Sequence, residues 1–90
     1  MVRNYKIVDS SPEYQTCLQN LSASVKKNLD IKLKVLEDCP FTIAKGLRAP
    51  LGGKYSVRLN GYRLICRIDI NSHKIFLLSV GARSRAYTLL

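Results

Sequence analysis

Acidic side chains are scarce: six Asp and Glu stand against fifteen Lys and Arg, a formal net charge of +9 over 90 residues. Paired-carboxylate catalysis and carboxylate-rich metal centres therefore have little to draw on. The chain has a single histidine and no tryptophan. His73 has no serine or cysteine nucleophile at a motif spacing, which argues against a hydrolytic triad and makes it a solvated loop residue by expectation. Cys17, Cys39 and Cys66 are too few and too far apart for a disulfide framework or a paired-cysteine metal site, and are expected to be buried thiols. No metal and no cofactor is expected. Nor does any apolar run approach the ~20 residues of a membrane span, and MVRNYKIVD lacks the apolar core of a secretory signal, so a cytoplasmic, non-membrane protein is expected. LGGK at 51 to 54 lacks the spacing of a phosphate loop and leads into a strand, which makes its glycines turn residues.

What the chain does have is positive charge, unevenly spread. Residues 1 to 45 hold seven Lys and Arg against five Asp and Glu, net +2, whereas residues 46 to 90 hold eight against one, net +7. A surplus of that size on one half points to a polyanionic partner, either nucleic acid or an acidic protein.

The pattern is that of one α+β domain spanning residues 1–90, with 47% apolar residues for a single core. Tyr5 to Val8 reads as a first strand at or near a sheet edge. Ser11-Pro12 is a helix start, and Tyr14, Cys17, Leu18 and Leu21 form one buried stripe. Ser22 or Ser24 caps a second helix with Val25, Leu29, Leu33 and Leu36 inward and Lys26, Lys27, Lys32 and Lys34 outward; Pro40 ends it. Phe41 to Gly53 reads as irregular and carries Lys45 and Arg48 past the sheet edge. Lys54 to Leu59 and Tyr62 to Asp69 alternate with period two around Asn60-Gly61, a type I′ hairpin that sets Leu59 opposite Tyr62. With those two inward, Lys54, Arg58, Arg63 and Arg67 share the opposite face, offset there only by Asp69. Asn71-Ser72 marks another turn, and Ile75 to Val80 reads as a central strand that Gly81 breaks. The expected architecture is a mainly antiparallel four-stranded sheet covered by two N-terminal helices on one face.

A face of guanidinium and ammonium groups holds phosphate and can stabilise the extra charge of a pentacoordinate phosphorane without a metal. RNA carries its own nucleophile, the 2′-hydroxyl, whereas DNA hydrolysis requires an activated water that so acid-poor a chain is badly equipped to supply.

The run KYSVRLNGYRLICRI, the strand KIFLLSVGAR and a tyrosine shortly after it resemble the RelE/ParE superfamily of toxins from toxin–antitoxin pairs. The likeness covers most of the chain, and G-Y-R-L and V-G-x-R are its most specific parts. It implies a RelE-like toxin fold with helices on one face of the sheet and a basic, concave other face. Its RelE branch implies a ribosome-dependent endonuclease that cuts mRNA in the A site by 2′-hydroxyl attack. Position by position, Arg63 of GYRL would stabilise the transition-state phosphate, Arg83 of VGAR would bind phosphate and assist the leaving oxygen, and Tyr87 would be the general base. Arg58 matches a substrate-holding basic residue. Lys45, Arg48, Lys54, Arg67 and Arg85 complete the RNA-binding set, and Ser56 stands where some members carry a strand lysine, a place Lys54 could fill. A phenol near its ordinary pKa of about 10 is roughly one part in a thousand ionised at neutral pH, so cations such as Arg58, Arg83 and Arg85 would have to lower it.

The resemblance further implies a cognate acidic antitoxin, alongside the ribosome and mRNA, as partners; a disordered acidic segment that folds on binding would neutralise the basic face. Two other readings remain at this point: a ParE-like DNA gyrase poison without nuclease activity, and a non-catalytic RNA-binding module.

Overall fold

A computed structural model describes residues 4–46, 53–59 and 61–82. The elements in chain order are β1 (Lys6–Ser10), α1 (Pro12–Gln19), α2 (Ala23–Asp38), a 3-10 turn (Pro40–Thr42), β2 (Ala44–Gly46), β3 (Lys54–Leu59), β4 (Tyr62–Asp69) and β5 (Lys74–Ala82). They build one sheet in the order β1-β5-β4-β3-β2, parallel only between β1 and β5. Among the described residues the sheet thus has five strands, not four. Periodicity overlooks β2 because three residues are too few to show it, yet Ala44, Lys45 and Gly46 pair with Val57, Ser56 and Tyr55. Lys45 accordingly sits in the edge strand itself.

The hairpin has the expected register, with Leu59 opposite Tyr62 and Gly61 at a φ of 83° that favours glycine. β4 is the middle strand. β5 lies inside the sheet between β1 and β4, and it continues through Gly81, which pairs with Arg63. Gly81 therefore does not end the strand: a glycine weakens a ladder without removing its hydrogen bonds.

Both helices cover the same face. Ser11 caps α1, its Oγ accepting from the Tyr14 N–H at 3.1 Å and donating to the Leu78 carbonyl oxygen. One hydroxyl thus starts the helix and ties it to β5. The first helix ends at Gln19, so Leu21 is buried in the link that follows it, and Ser22 rather than Ser24 caps α2 by accepting from Val25 N–H. The core gathers Tyr14, Leu29 and Leu36 over Val57, Leu64, Cys66, Ile75 and Val80. Burial pushes the Cys66 thiol up to about 12, while Cys17 is half-buried and Cys39, contrary to expectation, is exposed because it sits past the last turn of α2.

At one end of the sheet an aromatic file closes the structure. His73 stacks on Tyr5 with ring centroids 4.6 Å apart, Tyr5 meets Phe41 edge-on, and Phe41 meets Tyr55. His73 is exposed but engaged, since its Nδ1 also lies 2.8 Å from the Asn4 carbonyl oxygen. The β1 edge is partly satisfied by α2: Glu37 accepts from Tyr5 N–H through its backbone and from Ile7 N–H through its carboxylate.

Ser11→Ala removes the cap and the tie together. We expect a loss of about 1–2 kcal/mol, read as a fall in Tm of about 4–8 °C per kcal/mol for a domain of this size.

Candidate functional site

Strand pairing alone builds the site. Residues directly opposite in a ladder share a face, so Lys54↔Arg67, Ser56↔Ile65 and Arg58↔Arg63 set three rows of one hairpin on the face that the helices leave open. β2 adds Lys45 beside Ser56, and β5 adds Gly81 beside Arg63 and Ser79 beside Ile65. Ile65, Ser56 and Ser79 are fully or almost fully buried yet stand outside the core cluster, which gives this face a floor of one isoleucine and two serines.

Two of the three rows place cations directly opposite each other. Like charges so arranged repel and cost stability. Among the described residues no carboxylate forms an ion pair with Lys54, Arg58, Arg63 or Arg67. The two rows lie four residues apart along the strands, about 13 Å, so the face offers two cationic clusters, with Lys45 on the edge strand beside the Ser56 row between them.

The Arg58–Arg63 cluster has the more developed geometry. Arg58, Gly61, Tyr62 and Arg63 line a shallow hollow of about 260 Å³ at the hairpin end. The Arg63 side chain does not extend freely: its Nη1 donates to Ser56 Oγ at 3.1 Å, reaching diagonally across to β3. Ser56 is 3% exposed. A guanidinium anchored through one nitrogen to a buried hydroxyl keeps its plane and presents its remaining N–H groups, the arrangement that bidentate phosphate binding needs. Replacing Ser56 by a lysine would remove that acceptor, so here a serine serves the arginine beside it.

Sequence periodicity places Lys54, Arg58, Arg63 and Arg67 on one face correctly, and Lys45 joins them. Arg48, Arg83, Arg85 and Tyr87 lie outside the described residues. Two further members of the face escaped the sequence reading. Phe76 opposite Arg67 was hidden inside an apolar run, and Asp9 opposite Phe76 reaches the face only because β1 extends beyond Val8 to Ser10 and pairs with β5 past a bulge. Asp69 shares the face as expected, but its carboxylate is spent on the turn. The Ser72 hydroxyl and backbone N–H hold it below its ordinary value, with lesser help from Asn71 N–H and Lys74, against the opposing effect of desolvation.

Among the described residues no group of three or more His, Cys, Asp or Glu is placed to hold a metal ion. Among them, too, no helix is long and apolar enough to cross a membrane. What the face can do chemically is hold phosphate groups, most of all at the anchored Arg63 fork, where no described acid forms an ion pair with Arg58 or Arg63.

No protein-family model and no curated protein sequence matches the chain. Solved structures do. The chain is similar to one in the toxin–antitoxin complex RelBE2 of Mycobacterium tuberculosis, at 26% identity and TM-score 0.69 over 93% of this chain and 95% of that one. It is similar to the isolated Escherichia coli RelE toxin at 27% identity and TM-score 0.67, over 94% and 92%. It shares its fold with a chain of the archaeal RelE–RelB complex of Pyrococcus horikoshii at 22% identity and TM-score 0.72, over 92% and 99%.

Proposed function

We propose that this chain, a RelE-like protein by its structural neighbours, is the toxin of a toxin–antitoxin pair and a metal-independent, ribosome-dependent mRNA endonuclease. The observation that carries the reading is the anchored Arg63 guanidinium, opposite Arg58, on a face where no described acid pairs with either. A gyrase-binding surface does not require an arginine fork held by a buried hydroxyl. A phosphorane needs one.

In the proposed reaction the mRNA 2′-oxygen attacks the adjacent phosphorus and the bond from phosphorus to the 5′-oxygen breaks. A 2′,3′-cyclic phosphate and a 5′-hydroxyl result. Arg63 donates to the equatorial oxygens, where charge develops, and so binds the transition state better than the ground state. Tyr87 takes the 2′ proton as general base, and Arg83 binds the phosphate and the leaving 5′-oxygen, which takes up a proton from solvent. Arg58, Lys54, Arg67, Lys45, Arg48 and Arg85 hold the message. The ribosome orients the strand in line, a positioning contribution that a shallow, open face cannot make alone. The partner that silences the toxin is an antitoxin whose acidic, disordered segment folds over the same cations.

Ser56 acts through Arg63 and is a positioning residue. Ser56→Ala is expected to lower kcat about tenfold with KM little changed, since one charge-assisted hydrogen bond is worth about 1.5 kcal/mol, and Ser56→Thr to restore most of it. An equal loss in both variants would contradict the role. The function is tested by adding the purified chain to cell-free translation and, separately, to a DNA gyrase supercoiling assay. Translation is expected to stop with its message cut and supercoiling to continue; the reverse outcome makes the chain a gyrase poison.

A further inference from the structure

We infer a second ligand subsite on the open face, about 13 Å along the strands from Arg63, which takes one nucleotide of a single strand and reads its base through Asp9. The inference rests on the proposed RNA-binding role of this face and adds what the face recognises.

One row crosses four strands. Lys54 on β3 lies opposite Arg67 on β4, Arg67 opposite Phe76 on β5, and Phe76 beside Asp9 on β1. Strands are about 4.8 Å apart, so Arg67 and Asp9 are separated by roughly 10 Å with the phenyl ring between them. The order is cation, ring, carboxylate. A nucleotide needs the same order from its phosphate to the far edge of its base: a charge partner, a flat apolar surface and hydrogen-bond acceptors. Arg67, Phe76 and Asp9 line a single open cavity of about 1040 Å³, which has room for a nucleotide.

Each member is available for that role. Arg67 is exposed, and among the described residues no carboxylate forms an ion pair with it. Phe76 is half-buried but stands outside the core cluster, so its ring is not consumed by packing under the helices. Asp9 is exposed, and one of its oxygens accepts from Ser10 N–H at 2.8 Å, which orients the carboxylate; each carboxylate oxygen has two lone pairs, so both can still accept from a ligand. Asp69, the other acid lining this cavity, is held by the Asn71 and Ser72 backbone N–H groups.

A carboxylate accepts and cannot donate, so it selects bases by their donors. Guanine presents two parallel donors, its ring N1–H and exocyclic amino group, matching a carboxylate. Uracil presents one N–H flanked by two carbonyl oxygens that the carboxylate repels. The subsite is therefore expected to favour guanine and to disfavour uracil.

Amide NMR titration of the full-length ¹⁵N-labelled protein tests this with 5′-GMP, 5′-UMP and inorganic phosphate as probes. GMP is expected to shift the amides of Asp9, Arg67 and Phe76 and to bind about tenfold more tightly than UMP; inorganic phosphate should leave Phe76 unmoved. Asp9→Asn should abolish the preference while the spectrum stays folded. Phe76→Leu should weaken both nucleotides alike. Equal affinity for GMP and UMP in the unaltered protein, a preference that survives Asp9→Asn, or shifts confined to Arg58 and Arg63 would each overturn the subsite. Arg63→Ala separates the two levels: it should cut ribosome-dependent cleavage by roughly 10²- to 10³-fold and leave GMP binding unchanged. Should the unaltered chain bind GMP at Phe76 yet cut no message, the endonuclease reading falls and the subsite stands.

Discussion

Arg63→Ala is expected to reduce ribosome-dependent cleavage by roughly 10²- to 10³-fold, the range seen when one preorganised donor to a developing oxyanion is removed. The side chain's value lies in its geometry. Its Nη1 is held by the Ser56 hydroxyl at 3.1 Å, so the remaining N–H groups need no reorganisation when charge builds on the phosphate. Lysine keeps the charge but has neither the planar fork nor a second nitrogen to anchor, so Arg63→Lys should recover only a small part of the lost rate. Both variants should fold. Arg63 is only half-buried, and removing it relieves repulsion from the directly opposite Arg58, so Tm should hold or rise slightly. Single-turnover cleavage on programmed ribosomes, with Tm recorded on the same preparations, checks both halves. A loss of activity that tracks a loss of fold would contradict the assignment.

Leu36→Ala has the largest expected effect on stability. Leu36 is fully buried near the C-terminal end of α2, in the cluster that joins that helix to the sheet. Truncation removes apolar contact and leaves a cavity, together costing about 2–5 kcal/mol. Against a total stability of about 5–15 kcal/mol for such domains, this lowers Tm by about 8–40 °C. Ile31, on the same helix but 55% exposed, is the matched control: Ile31→Ala should change stability by no more than about 0.5 kcal/mol. Thermal unfolding followed by circular dichroism distinguishes the two, and similar shifts for both would mean that the helix is not docked as described.

Local pattern made some of this molecule legible and pairing across the chain hid the rest. The β3–β4 hairpin could be read to the residue, because a two-residue turn and strict alternation leave one register in which Leu59 and Tyr62 both face a core. That register alone gathers Lys54, Arg58, Arg63 and Arg67. Both helices were visible from their caps and stripes for the same reason. β2 was missed because Ala44 to Gly46 has no pattern of its own and becomes a strand only by pairing with β3. The parallel union of β1 with β5 joins residues nearly seventy positions apart, which no local signal announces, and Asp9 came to the open face with it. Periodicity also assigns a face without assigning a rotamer. The contact between Arg63 and Ser56 could not be foreseen, and Ser56 read as a departure from the family's lysine until its partner was seen. Arg83 and Tyr87 lie outside the described residues, so their proposed roles rest on the resemblance of V-G-A-R and the tyrosine after it.

The most direct test of the central claim uses a defined mRNA, once on programmed ribosomes and once free in solution, with the purified chain added to both and the 5′ ends mapped by primer extension. The account predicts cuts within A-site codons only when ribosomes are present, with no dependence on divalent metal beyond what the ribosome itself requires, and their loss with Arg63→Ala. Message left intact on ribosomes, or cut equally well in free solution, would contradict it.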